Sequence, residues 1–161
     1  MVISGFGNPY KKDIVEKIAS ERGLVIAESK PALDKQFFGK MDFYEEASIV
    51  IGNAISAYKQ DSQRENAVIP YHPAEQLSIV ELKLLRLDPL SRAAVQQLLA
   101  KAYDEIKALK KPDILVYLAP VDADPESRWL GRKLFSIFED IIGLERVVLV
   151  TKPSDRIGLK A

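Results

Sequence analysis

The residues best suited to chemistry stand at the start of the chain, where Ser4-Gly5-Phe6-Gly7-Asn8-Pro9-Tyr10-Lys11-Lys12 joins two glycines to two lysines. A phosphate-binding loop needs glycines so that backbone N–H groups can converge on an anion. It also needs a helix N-terminus aimed at the anion and a lysine for the outer phosphates. Set against G-x-x-x-x-G-K-[ST], Gly5 takes the first glycine position and Lys11 the lysine. Tyr10 stands where the second glycine belongs, and Lys12 replaces the hydroxyl that helps hold magnesium. Lys11 and Lys12 fall in a first helical turn, where the macrodipole disfavours each cation by about 0.3–1 kcal/mol. A bound phosphate would remove that conflict. Gly5, Gly7, Asn8, Lys11 and Lys12 are therefore the candidate ligand-binding residues. The simpler alternative is a glycine turn leading into a capped helix with two solvated lysines.

Other side chains invite weaker readings. His72 follows an expected strand end and could accept a proton, because imidazole titrates near neutrality; it could equally decorate the turn before Pro73. Asp122 and Asp124 are spaced so that both could approach a metal from a loop, although Asp124 before Pro125 is also a good helix cap. Trp129 and Phe37-Phe38 offer rings for base stacking, and rings at helical spacing also build cores. Arg64, Arg86, Arg92, Arg128 and Arg132 are scattered, so no nucleic-acid groove follows from their spacing. No serine sits in a G-x-S-x-G elbow. The absence of cysteine excludes disulfides, thiolate metal sites and cysteine nucleophiles, and a single histidine excludes a multi-histidine centre.

The elements that must carry these residues alternate. Val2-Ile3 precedes a helix over residues 9–22, with Asn8 as its cap, Pro9 at its first position and Gly23 past its end. Leu24-Val25-Ile26-Ala27 is a short strand, and Asp42 with Glu45 opens a helix over 43–59 in capping-box spacing. Ala67-Val68-Ile69-Pro70 is a third strand, and helices then start at Pro73, Pro89 and Pro125 behind His72, Asp88 and Asp124. The helix over 89–110 should be the longest; Pro112 closes it before Ile114-Leu115-Val116-Tyr117-Leu118. The last helix, 125–142, leads into the strand Arg146-Val147-Val148-Leu149-Val150-Thr151. Such alternation predicts a mostly parallel five-stranded sheet with helices on both faces and ligands at the carboxyl ends of the strands.

Composition agrees with one α/β domain over residues 1–161: 47% of the residues are hydrophobic, 29% are charged, and no tract is of low complexity. Lys plus Arg and Asp plus Glu both number 23, so no global field draws the chain to nucleic acid or an anionic membrane. The start Met-Val-Ile-Ser-Gly lacks the regions of a signal peptide, and no stretch approaches the ~20 apolar residues of a span, so a cytoplasmic location is expected. A homo-oligomer is allowed and not required.

The segment Lys111-Pro112-Asp113-Ile114-Leu115-Val116-Tyr117-Leu118, followed by Asp122-Ala123-Asp124-Pro125-Glu126 and then Arg128 and Arg132, resembles the deoxynucleoside kinase and thymidylate kinase family of P-loop proteins. The order of elements extends that resemblance over nearly the whole chain. It implies a three-layer sandwich of P-loop kinase-like topology, with Lys11 on phosphate, Arg128 and Arg132 as catalytic candidates beside His72, and ATP or another nucleotide with magnesium as cofactor. The departures are specific. Tyr71-His72-Pro73 stands where the family carries an acid followed by arginine, and the helix after Pro125 runs on through Phe135-Ser136-Ile137-Phe138 with little room for a lid. A nucleotide- or phosphate-binding protein with catalysis lost or altered is the resulting expectation. An active small nucleoside or nucleotide kinase is the alternative. A further one is a nucleoside deoxyribosyltransferase-like enzyme, using Val116-Tyr117-Leu118-Ala119-Pro120 and Asp122 as its sugar edge.

Overall fold

Apolar runs and aspartate caps punctuate the described residues into α-helices and β-strands, seen in a computed structural model that describes residues 1–27 and 42–154. In chain order these are β1 (Val2–Ser4), α1 (Lys11–Arg22), β2 (Val25–Ile26), α2 (Phe43–Asp61), β3 (Ala67–Val68), α3 (Ala74–Leu84), α4 (Pro89–Lys107), β4 (Leu115–Leu118), α5 (Pro125–Ile141) and β5 (Val147–Val150). Three helices begin as their sequences require. Asp42, Asp88 and Asp124 adopt extended backbone, and their side chains accept the N–H groups of Glu45, of Leu90 and Ser91, and of Ser127. Each such cap is worth about 1 kcal/mol.

α1 departs from expectation: it starts at Lys11, because the Asn8 side chain takes the Tyr10 N–H and caps the preceding turn instead of a helix at Pro9. Its end is as predicted, with Gly23 at φ 62° and its N–H on the Ala19 and Ser20 carbonyls. α4 stops at Lys107, short of residue 110, and at 19 residues it equals α2 in length, so it is not the longest helix. Phe37-Phe38 lies outside the described residues.

Among the described residues all pairings are parallel. β4 lies between β1 and β5 in a three-stranded sheet, and β2 pairs with β3 in a two-stranded one. The expected single five-stranded sheet is therefore divided. The two parts touch at one bridge, Val2 to Ile69, where the Ile3 N–H donates to the Ile69 carbonyl and the Ile69 N–H to the Met1 carbonyl, both at 2.9 Å. Pairing with β1 ends there, where the chain turns at once towards α3.

Residue alternation along the strands sorts the core into two layers. Ile3, Val116, Leu118 and Val150 face α1, where Ile14, Val15 and Ile18 cover them. Val2, Leu115 and Tyr117 face the opposite side, which α2, α3, α4 and α5 fill with side chains such as Tyr58, Leu77, Val95 and Phe138. All four β4 residues are buried, which is why that strand reads as an unbroken apolar run. No helix among the described residues is long and apolar enough to cross a membrane.

One stability test arises from α2. A Cβ on Gly52 would meet nothing within 4 Å, in a helix where glycine costs about 0.5–1 kcal/mol relative to alanine. Gly52→Ala should raise the urea midpoint by that amount with an unchanged slope; an unchanged or lower midpoint would contradict the open space around it.

Candidate functional site

β1 delivers the glycine loop to the carboxyl end of the sheet, and the loop is fastened there by its own side chains and backbone. Gly5 runs so close to β4 that a Cβ would sit 2.3 Å from the Leu118 carbonyl oxygen. Gly7 combines φ 62° with tight packing, since a Cβ would lie 2.8 Å from that of Ala123 and 3.0 Å from that of Ser127. Its carbonyl accepts the Val121 N–H at 3.0 Å. Asn8 is the staple: Nδ2 donates to the carbonyls of Ala119 and Thr151, both at 2.9 Å, while Oδ1 accepts the Tyr10 N–H. Both glycines thus have packing reasons independent of any ligand. The amides are another matter. Among the described residues, the N–H groups of Gly5, Phe6, Gly7 and Asn8 donate to no protein acceptor.

Lys11, in the first turn of α1, does not reach into solvent alone. Its Nζ donates to Glu75 Oε1 at 3.1 Å, and the Ser4 hydroxyl donates to the same oxygen at 2.6 Å. Their side chains are 29% and 13% exposed for Lys11 and Glu75, so the pair is partly shielded from water. Glu75 stands in the first turn of α3, where a helix dipole favours a carboxylate. Lys12 points elsewhere, 84% exposed and 3.8 Å from Glu16. Beside the lysines, a groove of about 310 Å³ is walled by Val15, Ile26 and Pro70. Serine, carboxylate and ammonium therefore meet at one corner of the sheet, at the foot of the glycine loop.

The remaining candidates do not join this corner. His72 is 3% exposed, wedged edge-on between the rings of Tyr58 at 4.9 Å and Phe138 at 5.1 Å. Its Nδ1 accepts the Ala74 N–H at 3.2 Å, but it is not the cap residue of α3: that place falls to Pro73, and the helix starts at Ala74, one residue later than expected. Burial pushes its pKa down to about 3, which keeps the ring neutral. Asp124 holds the start of α5 through the Ser127 N–H and hydroxyl, and those bonds keep its carboxyl below the ordinary carboxylate range. Asp122 is exposed at φ 46°. Among the described residues no three His, Asp or Glu side chains gather to hold a metal. Arg128 and Arg132 are exposed one turn apart on α5, and no described hydrogen bond or ion pair joins either to the loop. Trp129 is half-buried.

Sequence reasoning missed Ser4 and Glu75. The only local signal for Glu75 is an acid two residues after Pro73 at a helix start, and its partners lie 64 and 71 residues away.

No protein-family model and no curated protein sequence matches this chain. Solved structures do. The structure is similar to deoxyadenosine kinase from M. mycoides with bound dATP, at TM-score 0.66 and 15% identity, over 96% of this chain and 93% of that one. It is also similar to NadR protein in complex with NAD and AMP-PNP, at TM-score 0.65 and 12% identity, over 94% of this chain and 44% of that one. NadR in complex with NR gives TM-score 0.59 and 14% identity, over 98% of this chain and 45% of that one. The chain thus spans less than half of the NadR chains and nearly all of the deoxyadenosine kinase chain. At these identities the likeness concerns architecture, and it establishes a P-loop kinase-like fold: helix-rich, α/β, with parallel strands.

Proposed function

We propose that this protein binds a nucleotide or another small phosphate compound at the loop over residues 5–12, and that phosphoryl transfer in it is lost or altered. The observation that carries the reading is the run of amides from Gly5 to Asn8 that donate to no described protein acceptor, in the loop that leads into Lys11 at the start of α1. Such a row of donors at a helix N-terminus suits an anion. The solved neighbours support it, since their ligands include AMP-PNP, NAD and dATP. They also favour the kinase-like reading over the deoxyribosyltransferase-like one. Loss or alteration of catalysis rests on Tyr10 and Lys12, which replace a glycine and a hydroxyl, and on Tyr71-His72 in place of an acid and an arginine. In this reading Gly5, Gly7 and Asn8 shape the loop and Lys11 supplies the charge. Arg128 and Arg132 are exposed, and no described hydrogen bond or ion pair holds either side chain, so both are available to a bound ligand. A cytoplasmic protein of one domain goes with it.

A charge-assisted hydrogen bond to phosphate contributes about 1.5–3 kcal/mol, so Lys11→Ala should weaken binding of ATP with magnesium by about tenfold or more. Isothermal titration of wild type and variant tests this. Equal affinity in the two, or binding in neither, removes the phosphate reading.

A further inference from the structure

We propose that Glu75, held by Ser4, exchanges one cation for another: it keeps the Lys11 ammonium in the ligand-free protein and takes the divalent cation of a metal–phosphate ligand once Lys11 turns to the phosphate. The inference rests on the phosphate reading above and names the form of ligand that the same site prefers.

Three observations carry it. First, Ser4 Oγ at 2.6 Å and Lys11 Nζ at 3.1 Å share a single oxygen, Oε1. No described hydrogen bond takes up Oε2, and that atom is not among the buried polar atoms sealed away without a partner. Half of a partly buried carboxylate is therefore uncommitted yet open to solvent. Second, the two partners are held differently. Glu75 is anchored by the Ser4 hydroxyl and by its own N–H on the His72 carbonyl at 2.9 Å, whereas Lys11 is a long side chain in a first turn that disfavours its charge. When an anion arrives, Lys11 moves and Glu75 stays.

Third, the donor chemistry fits magnesium. Magnesium is usually held by one or two carboxylates together with substrate phosphates and water, all hard oxygen donors. Lys12 has removed the hydroxyl that such loops use for the ion, and the carboxylate of Glu75 lies 3.1 Å from the Lys11 ammonium. The Lys11 ammonium stands in for that cation in the ligand-free arrangement. Electrostatics then sets a preference. A bare phosphate entering next to Lys11 meets the uncompensated charge of Glu75, whereas a metal–phosphate complex brings the countercharge with it.

The test is titration of ADP, with and without saturating magnesium, into wild type, Glu75→Gln and Lys11→Ala. Gln keeps an oxygen for the Ser4 hydroxyl, and thermal unfolding checks that the variant is folded. Magnesium should tighten ADP binding to wild type by about tenfold, a gain of one decade in Kd. Glu75→Gln should bind metal-free ADP more tightly than wild type and lose the magnesium gain. Manganese titrated into the wild-type ADP complex and followed by electron paramagnetic resonance should show a bound ion that Glu75→Gln releases. An equal magnesium gain in wild type and Glu75→Gln, or none in wild type, overturns the inference. If Lys11→Ala still weakens binding by about tenfold or more in that case, the loop reading stands without Glu75. If ADP binds wild type and Lys11→Ala alike, both readings fall.

Discussion

Gly5→Ala is expected to cost at least about 3 kcal/mol of folding stability, the upper end of what overpacking usually costs. The added Cβ would lie 2.3 Å from the Leu118 carbonyl oxygen and 2.8 Å from the Leu118 Cβ. The nearer atom belongs to the backbone of the central strand of the three-stranded sheet, so no rotamer change relieves the contact. Relief requires β1 to move away from β4, against the register Val2 to Leu115, Ile3 to Val116 and Ser4 to Tyr117. Those residues are buried on both sides of the sheet, and the movement would open the cores under α1 and under α3 together. Urea denaturation measures the effect, with Gly52→Ala as the matched change at an open site. A Gly5→Ala protein as stable as wild type would mean that β1 and β4 do not approach as closely as described. The consequence reaches the candidate site as well. A glycine at this position is required by strand packing alone, so its presence is not evidence for phosphate; the amides of the loop are.

Acid should destabilise the protein well before its carboxylates titrate, and His72 should be the cause. The folded-state pKa is about 3 against 6.5 for a free imidazole, because burial between Tyr58 and Phe138 strips water from the charged form. Between these values the unfolded chain binds the proton and the folded protein does not. The contribution of neutral His72 is therefore complete above about pH 6.5 and is lost as pH falls, with a slope of up to about 1.4 kcal/mol per unit. The chain contains a single histidine, which makes the assignment clean. Capping aspartates such as Asp124, whose pKa is lowered, add their own losses only in the carboxylate range. Denaturation curves at pH 7, 6, 5 and 4 should show this slope in wild type. His72→Asn, which keeps an oxygen for the Ala74 N–H, should be less stable at neutral pH and much flatter below it. Parallel curves for the two proteins would refute a buried neutral imidazole.

The order and type of elements were legible in the sequence because each depends on neighbours a few residues apart. Asp42, Asp88 and Asp124 cap helices through bonds to residues two or three positions on, and Gly23 ends α1 through its own backbone. The apolar run at Leu115–Leu118 reported a strand, and all four of its residues are buried. These are local matters of hydrogen bonding and periodicity, and an amino-acid string carries them directly. The same locality misled at Asn8. It reads as a helix cap, yet its amide is spent on Ala119 and Thr151, which lie 111 and 143 residues away.

The glycine loop and Lys11 could be named from residue types alone, and so could the loss of the second glycine and the hydroxyl. What stands next to them could not. Glu75 and Ser4 meet Lys11 only because β1, α1 and α3 converge at one corner of the sheet, and His72 is buried only because α2 and α5 close over it. The division of the sheet likewise depends on where the chain turns after Ile69 relative to β1. Local preference selects helices, strands and turns within a few residues. The partner of a charge, the burial of a ring and the edge of a sheet depend on contacts between distant segments, and only the packed chain decides them.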